Sequence, residues 1–224
     1  MDILTEETSQ AMSECATKPL QCRAASRRDA DACAPLIYES GVLEFGFFLG
    51  QPPAVCIAFL RFAFAARGGR FSWRRHRVAV DADGTVLGLM AAHDGRSTLL
   101  DDPHVVVMLW RFFGLRRTLG ILMRGLVLES ELPAPKRSQT LVAHCATLER
   151  ARGSGVFRSL FIDALGSGGA SFAPDRQIVL DVLLSNTRAQ ALYSRLGFIE
   201  QPRVRARSER LPRELESMRM LLRG

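Results

Sequence analysis

The chain reads Thr140-Leu-Val-Ala-His-Cys-Ala-Thr-Leu148 and, one residue later, Arg150-Ala-Arg-Gly-Ser-Gly155. The first segment is rich in β formers and predicts a strand over 140–148, and the second is a glycine-rich turn. Apolar residues at helical spacing follow, so we predict a helix over 153–165. This order places several unpaired N–H groups and the positive end of a helix dipole at the turn. A phosphate would fit there.

The turn has residue types that suit an anion site. Glycine at 153 and 155 removes side chains that would keep a pyrophosphate from the main chain. Arg150 and Arg152 could add charge-assisted hydrogen bonds. The alternative is a tight turn whose glycines serve its conformation only. The segment alone leaves both open, because it is neither a full GxGxxG nor a Walker loop.

A second motif follows the turn. It reads Leu180-Asp-Val-Leu-Leu-Ser-Asn186, then Thr-Arg-Ala-Gln-Ala-Leu-Tyr193 and Ser-Arg-Leu-Gly-Phe198. The two motifs together resemble the GNAT N-acetyltransferase superfamily. Arg150-x-x-Gly153-x-Gly155 is similar to its pyrophosphate loop, and Asn186-x-x-Ala189-x-x-Leu192-Tyr193-x-x-Leu196-Gly197-Phe198 is similar to its second acetyl-CoA motif. The close resemblance covers about residues 138–205, and 21–38 and 71–92 resemble the family's opening elements more loosely.

The resemblance implies an α/β fold with a mixed sheet, in which the strands at 140–148 and 177–184 splay apart. The pantetheine arm of acetyl-CoA, the donor, would lie between them, and no metal is implied. By position, main-chain groups of Ala143, His144 and Cys145 would contact the pantetheine. The pyrophosphate cradle would consist of Arg150, Ala151, Arg152, Gly153, Ser154, Gly155 and Val156. Asn186 would reach the cofactor from the next helix, although it could also be that helix's N-cap, with a Thr187–Gln190 capping box as a further alternative.

The family usually acts by direct attack of an amine on the thioester, which requires a neutral amine and therefore a base. Asp181 lies where some members carry a carboxylate base, and its alternative is a solvent-facing acid or an arginine ion pair. Tyr193 fits the family's proton donor to the departing thiolate, and its alternative is a partly buried aromatic with a satisfied hydroxyl. Helical spacing puts Tyr193 on one face with Asn186 and Gln190, while neighbouring apolar residues turn toward the core.

A His144–Cys145 nucleophilic dyad is disfavoured, because neighbouring strand residues point to opposite faces unless a bulge intervenes. His144 and Glu149 are minor candidates for the base. The histidines at 76, 93 and 104 show no metal-ligand spacing.

The composition indicates one globular domain. The chain has 224 residues, of which 47% are hydrophobic and 24% charged, which excludes disordered, collagen-like and coiled-coil classes. The net charge of +7 suggests an anionic ligand or surface. We do not infer nucleic-acid binding from it, because all basic residues except Lys18 and Lys136 are arginines, which a coding bias could supply. Five scattered cysteines without CxxC and a polar N-terminus favour reduced thiols in the cytoplasm.

We expect a flexible tail at 1–18 and a single acetyltransferase domain over 19–224. Within it we predict helices at 29–38 and 53–67, a hairpin around Asp83-Gly84, and strands at 198–207 and 216–222. The family pattern has no counterpart for 96–137, where we predict a helical insertion broken at Gly114 or Gly120. The insertion and 41–50 are the expected walls of the acceptor pocket.

The predicted function is transfer of an acetyl group from acetyl-CoA to an unidentified small-molecule or peptide primary amine. The alternative is a catalytically silent acyl-CoA-binding regulatory or interaction domain. The apolar face of the insertion predicts either contact with the acceptor or a homodimer, since an exposed patch of that size needs cover. Its arginines at 111, 116, 117 and 124 argue against stable membrane insertion.

Overall fold

The computed structural model describes residues 20–96, 98–167, 172–173, 175–203 and 208–223, with the backbone alone at 98–102. The predicted tail at 1–18 and part of the predicted strand at 198–207 lie outside these residues. Among the described residues, no single helix is long and apolar enough to cross a membrane, and the helical segments Arg27–Glu39 and Val42–Leu49 reach that length only together, across a bend of 96°.

The described residues form a mixed sheet of seven strands, which confirms the predicted fold class. The strands are β1 (Gln21–Ala24), β2 (His76–Val80), β3 (Val86–Asp94), β4 (Gln139–Thr147), β5 (Gln177–Leu183), β6 (Phe198–Glu200) and β7 (Ser217–Leu222). Their order in the sheet is β1-β2-β3-β4-β5-β7-β6. Only β4 and β5 pair in parallel within this sheet, and every other pair is antiparallel.

The parallel strands β4 and β5 separate part-way along their length. Their ladder runs from Gln139–Gln177 to Val142–Leu180 and then stops. Beyond it β4 continues to Thr147 beside β3, while β5 continues to Leu183 beside β7. This opening in the middle of the sheet confirms the predicted splay, and we call it the β4–β5 gap.

Arg176 stabilises the end of the gap at which β4 and β5 remain paired. Its guanidinium is fully buried and donates to the main-chain oxygens of Arg137 and Gln139, each at 2.6 Å. It also pairs with Asp94 at the end of β3. One side chain at the start of β5 therefore ties together the ends of three strands.

Helices cover both faces of the sheet. They are α1 (Ala30–Glu39), α2 (Val42–Leu49), α3 (Pro53–Phe64), α4 (Thr98–Phe113), α5 (Leu115–Glu129), α6 (Val156–Gly166) and α7 (Thr187–Arg195). One core lies among α1 to α5 and the sheet, and the other lies beneath α6 and α7. The predicted helices at 29–38 and 53–67 correspond to α1 and α3, and the hairpin turns at Gly84 with a φ of +80°, as Asp83-Gly84 predicts.

The helix α2 was not predicted, because 41–50 was assigned only to a pocket wall. It ends at Gly50, whose φ of +60° is left-handed. Arg124, from α5, donates to the oxygens of Phe48 at 3.0 Å and Leu49 at 2.8 Å, carbonyls in the last turn of α2. A Cβ at position 50 would lie 2.7 Å from that guanidinium and would displace it, so this contact and the left-handed φ both favour glycine.

The predicted helical insertion is the pair α4 and α5, and the break between them lies at Gly114, with a φ of +77°. Part of its apolar surface is uncovered. The exposed fractions are 55% for Trp110, 76% for Leu115, 65% for Leu119 and 63% for Leu126.

Candidate functional site

The three residues predicted to contact pantetheine lie on β4 where it borders the β4–β5 gap. Ala143, His144 and Cys145 follow the last paired residue of β4, and each is half-buried. A β-bulge lies here, because Leu89 and Ala91 of β3 pair with Ala146 and Ala143 across one extra residue of β4. The bulge gives His144 a φ of +52°, which is unusual for a residue other than glycine.

The bulge does not bring the side chains of His144 and Cys145 together. His144 stacks on Phe71 at 5.5 Å, within the core under α1 to α5. Cys145 packs into the opposite core, under α6 and α7. Burial also raises the pKa of the Cys145 thiol to about 12, so the sulfur is protonated at neutral pH. Both observations disfavour the dyad.

The glycine-rich turn lies between β4 and α6. Gly153 and Gly155 have φ values of +86° and +85°. Such left-handed values favour glycine, so the conformation of a tight turn is by itself a reason for glycine at both positions. A Cβ at either position would meet no atom within 4 Å. The space that these glycines leave is therefore open, as a ligand cradle requires.

The helix α6 begins at Val156 without a side-chain cap. Its first N–H groups and its dipole therefore face the turn. Ala151 and Val156 are buried, so only their main chain can face a ligand, while Arg150, Ser154 and both glycines are exposed. Arg152 donates to the Thr147 oxygen at 3.2 Å and lies 3.6 Å from Glu39, which directs it toward α1. The turn can bind a pyrophosphate chiefly through its main chain and Arg150.

Tyr193 connects α7 to the gap. Its ring contacts Phe157 and Phe198 edge-on, with centroids 5.7 and 6.1 Å away, and its hydroxyl lies close to the Cys145 thiol. Burial holds the pKa of Tyr193 well above its usual value, so the phenol is neutral. The prediction that Tyr193 shares a face with Asn186 and Gln190, away from the core, is wrong in one respect. Tyr193 is the buried residue of α7, because its ring fills the space between α6 and β6.

Asn186 is the N-cap of α7. Its side-chain oxygen accepts from the Ala189 N–H at 3.1 Å, which favours the cap over the Thr187–Gln190 capping box. Gln190 instead donates to the oxygens of Leu183 and Leu184, at 2.9 and 3.0 Å. A cofactor contact by Asn186 would therefore use its amide nitrogen.

Asp181 forms the arginine ion pair that was its alternative interpretation. Both carboxylate oxygens accept from Arg219 on the neighbouring strand β7, at 2.8 Å each. Arg219 also bonds the Pro133 oxygen. Burial raises the pKa of Asp181 in spite of this partner. A base role would first require this ion pair to open.

Three histidines from the neighbouring strands β2, β3 and β4 form one cluster, and sequence reasoning missed it. His76 begins β2, His93 lies near the end of β3, and His144 lies on β4. The rings of His76 and His144 stack at 5.2 Å, and His93 contacts His144 edge-on at 5.5 Å. The Asp83-Gly84 hairpin signals that β2 and β3 pair, but the bulge that brings in His144 has no signal in the sequence. Within the described part of the chain, no group of three or more histidine, cysteine or acidic residues is arranged to hold a metal.

Comparison with solved structures finds this fold in acetyltransferases. An N-acetyltransferase from Staphylococcus aureus Mu50 is similar with a TM-score of 0.65 and 17% identity, over 90% of this chain and 100% of that chain. An acetyltransferase is similar with a TM-score of 0.61 and 19% identity, over 90% and 98%. A spermidine N-acetyltransferase chimera from Vibrio cholerae and hSSAT has a TM-score of 0.52 and 17% identity, over 91% and 94%. No family model matches the sequence, and neither does any curated protein.

Proposed function

We propose that this chain, whose fold is that of the GNAT N-acetyltransferases, transfers an acetyl group from acetyl-CoA to a primary amine by direct attack. The observation that carries the proposal is the β4–β5 gap, which has a glycine-rich turn after β4 and a buried tyrosine hydroxyl at its edge. Acetyl-CoA, the co-substrate, would supply the acetyl group as a thioester.

The residues at the gap fit this donor. The main-chain groups of 143–145 do not pair with β5. They can therefore form hydrogen bonds with an extended amide chain, as they would with a neighbouring strand. The turn and the start of α6 would hold the pyrophosphate, with Arg150 supplying positive charge. Asn186 would add a contact from α7.

The side chains around the gap suit direct attack better than a covalent enzyme intermediate. The Cys145 thiol is protonated at neutral pH and hydrogen-bonded, so it is a poor nucleophile. Tyr193 holds a proton at Oη beside the gap, where it can pass it to the sulfur that leaves.

Thioester chemistry and one similar structure support an amine as the acceptor. A thioester reacts readily with a neutral amine, and a similar solved structure is a spermidine N-acetyltransferase. The test is a titration with CoA followed by a screen of small amines and peptides, read by thiol release. Acetyl-CoA-dependent thiol release with a matching acetylated amine is expected. CoA binding without transfer to any amine would support the silent binding domain instead.

Replacing both Gly153 and Gly155 with valine should weaken CoA binding by at least tenfold. The new side chains would fill the open space beside the turn, and φ values near +85° also strain a valine. Isothermal titration measures the affinity. The matched control is Gly114→Val, which has a similar φ of +77° and equally open space but lies in the break between α4 and α5. An unchanged CoA affinity in the folded double variant would contradict the assignment.

The exposed apolar residues of α5 predict a dimer of this chain. Leu119→Ser with Leu126→Ser should halve the mass measured by light scattering, because these leucines are 65% and 63% exposed in a single chain. Ile162→Ser, at a residue 50% exposed on α6, is the matched control. CoA affinity should stay unchanged. A monomeric wild-type protein would contradict the dimer and leave acceptor contact as the role of this face.

A further inference from the structure

The buried His76 and the half-buried His144 form a chain of hydrogen bonds that ends at the β4–β5 gap. Nδ1 of His76 lies 2.8 Å from the Ser72 oxygen, and Nε2 of His76 lies 3.0 Å from Nδ1 of His144. A carbonyl oxygen only accepts, so Nδ1 of His76 must carry a proton. In a neutral ring Nε2 is then an acceptor, and Nδ1 of His144 must donate to it.

This order of donors settles the tautomer of His144. With its proton on Nδ1, the ring holds a lone pair on Nε2, the nitrogen that can take up a proton. His76 and His93 are 2% and 7% exposed, while His144 is half-buried and is the accessible end of the trio. The chain therefore leaves an unprotonated nitrogen, Nε2 of His144, on the strand that borders the gap.

His144 has an energetically unfavourable backbone conformation. Its φ of +52° lies in the left-handed region, which residues with a side chain seldom adopt. The ring is fixed from several sides, by stacking on Phe71 and His76 and by tilted contact with Phe45 of α2 at 6.0 Å. Observed strain of this kind is common at functional sites.

We propose that His144 is the general base of acetyl transfer and that His76 is its positioning residue. The inference rests on the proposed function. The amine nitrogen forms its bond to the acetyl carbonyl carbon, the carbon–sulfur bond breaks, and its electron pair goes to sulfur. The N–H proton passes to Nε2 of His144, and the Tyr193 proton passes to the sulfur. His144 then returns its proton to solvent, and Tyr193 regains one.

Burial and neighbouring positive charge keep His144 neutral. Burial lowers its pKa well below the usual value, and positive charge on His76, His93 or Arg70 would lower it further. A base must be unprotonated to act, so His144 is in its active form at neutral pH. Activity due to His144 should therefore fall only on acidification below about pH 6.5, the usual imidazole pKa.

The first test compares His144→Gln with wild type on an identified amine. We expect kcat to fall by about 10²–10⁴, the usual contribution of a general base, with CoA affinity unchanged. His93→Leu is the matched control, because His93 contacts the same ring edge-on but has no hydrogen bond to it. A wild-type kcat in His144→Gln, with chemistry shown to be rate-limiting, overturns the proposal.

The second test separates positioning from packing at His76. Glutamine can place an amide oxygen near the position of Nε2 and accept from His144, while leucine cannot. We expect His76→Leu to lose most of kcat at an unchanged KM for acetyl-CoA, and His76→Gln to recover much of it. Equal kcat in the two variants contradicts the positioning role.

The third test does not depend on turnover. The ¹⁵N chemical shifts of the imidazoles report which nitrogen carries the proton, and we expect Nδ1–H tautomers for both His76 and His144. An Nε2–H tautomer of His144 overturns the inference in an active or inactive protein. A wild-type protein that acetylates no amine contradicts the proposed function, whereas an active protein with normal turnover in His144→Gln contradicts the base alone.

Discussion

Tyr193→Phe should lower kcat by about 10²–10⁴ and leave CoA affinity close to wild type. The hydroxyl matters only when a proton must reach the sulfur, so its loss affects turnover more than binding. Steady-state kinetics on an identified amine, with titration of CoA, measures both effects.

Tyr38→Phe is the control for this experiment. Tyr38 is the other tyrosine of the chain, and both residues are 8% exposed, so the two substitutions remove the same atom from similarly buried rings. Tyr38 lies on α1 in the opposite core, so the Tyr38→Phe enzyme should keep the wild-type kcat. A Tyr193→Phe enzyme with normal kcat, measured where chemistry limits the rate, would rule out the proton-donor role.

Arg176→Met should lower the free energy of unfolding by about 3–5 kcal/mol, the usual cost of removing one partner of a buried ion pair. The change leaves the Asp94 carboxylate, with a side chain 15% exposed, without this cation. It also removes two hydrogen bonds to the main chain at the start of β4. Urea denaturation measures the loss.

Arg96→Met is the matched control for this loss. Arg96 pairs with Asp175 at 3.2 Å, but the two side chains are 61% and 63% exposed. Exposed pairs contribute about 0–1 kcal/mol, so the control should lie within that range. Equal losses in the two variants would show that Arg176 does not hold the strands together.

Elements whose signals lie within a few residues could be predicted from the sequence. The Asp83-Gly84 hairpin, the strand and turn before α6, and the break at Gly114 all follow from local turn chemistry. The helix α2 could not be predicted in this way. Its end depends on Gly50 and on Arg124, which approaches from another helix.

The same distinction applies to the candidate site. The glycines at 153 and 155 and the tyrosine at 193 belong to local motifs, so their positions could be read from the chain. The partner of Asp181 could not, because Arg219 comes beside it only when β7 pairs with β5. The histidine chain requires three strands and an irregular bulge in register, which no local pattern encodes.

The β4–β5 gap also divides the sheet into two leaves. The first leaf, β1 to β4, comes from the N-terminal part of the chain, and the second, β5 to β7, from the C-terminal part. The two leaves are joined by backbone pairing only from Gln139–Gln177 to Val142–Leu180, and Arg176 reinforces this pairing. A molecule bonded to both free edges would act as an additional, non-peptide strand. The donor would then be a structural member of the sheet, and occupancy would couple two leaves that the polypeptide itself joins over only a few residues.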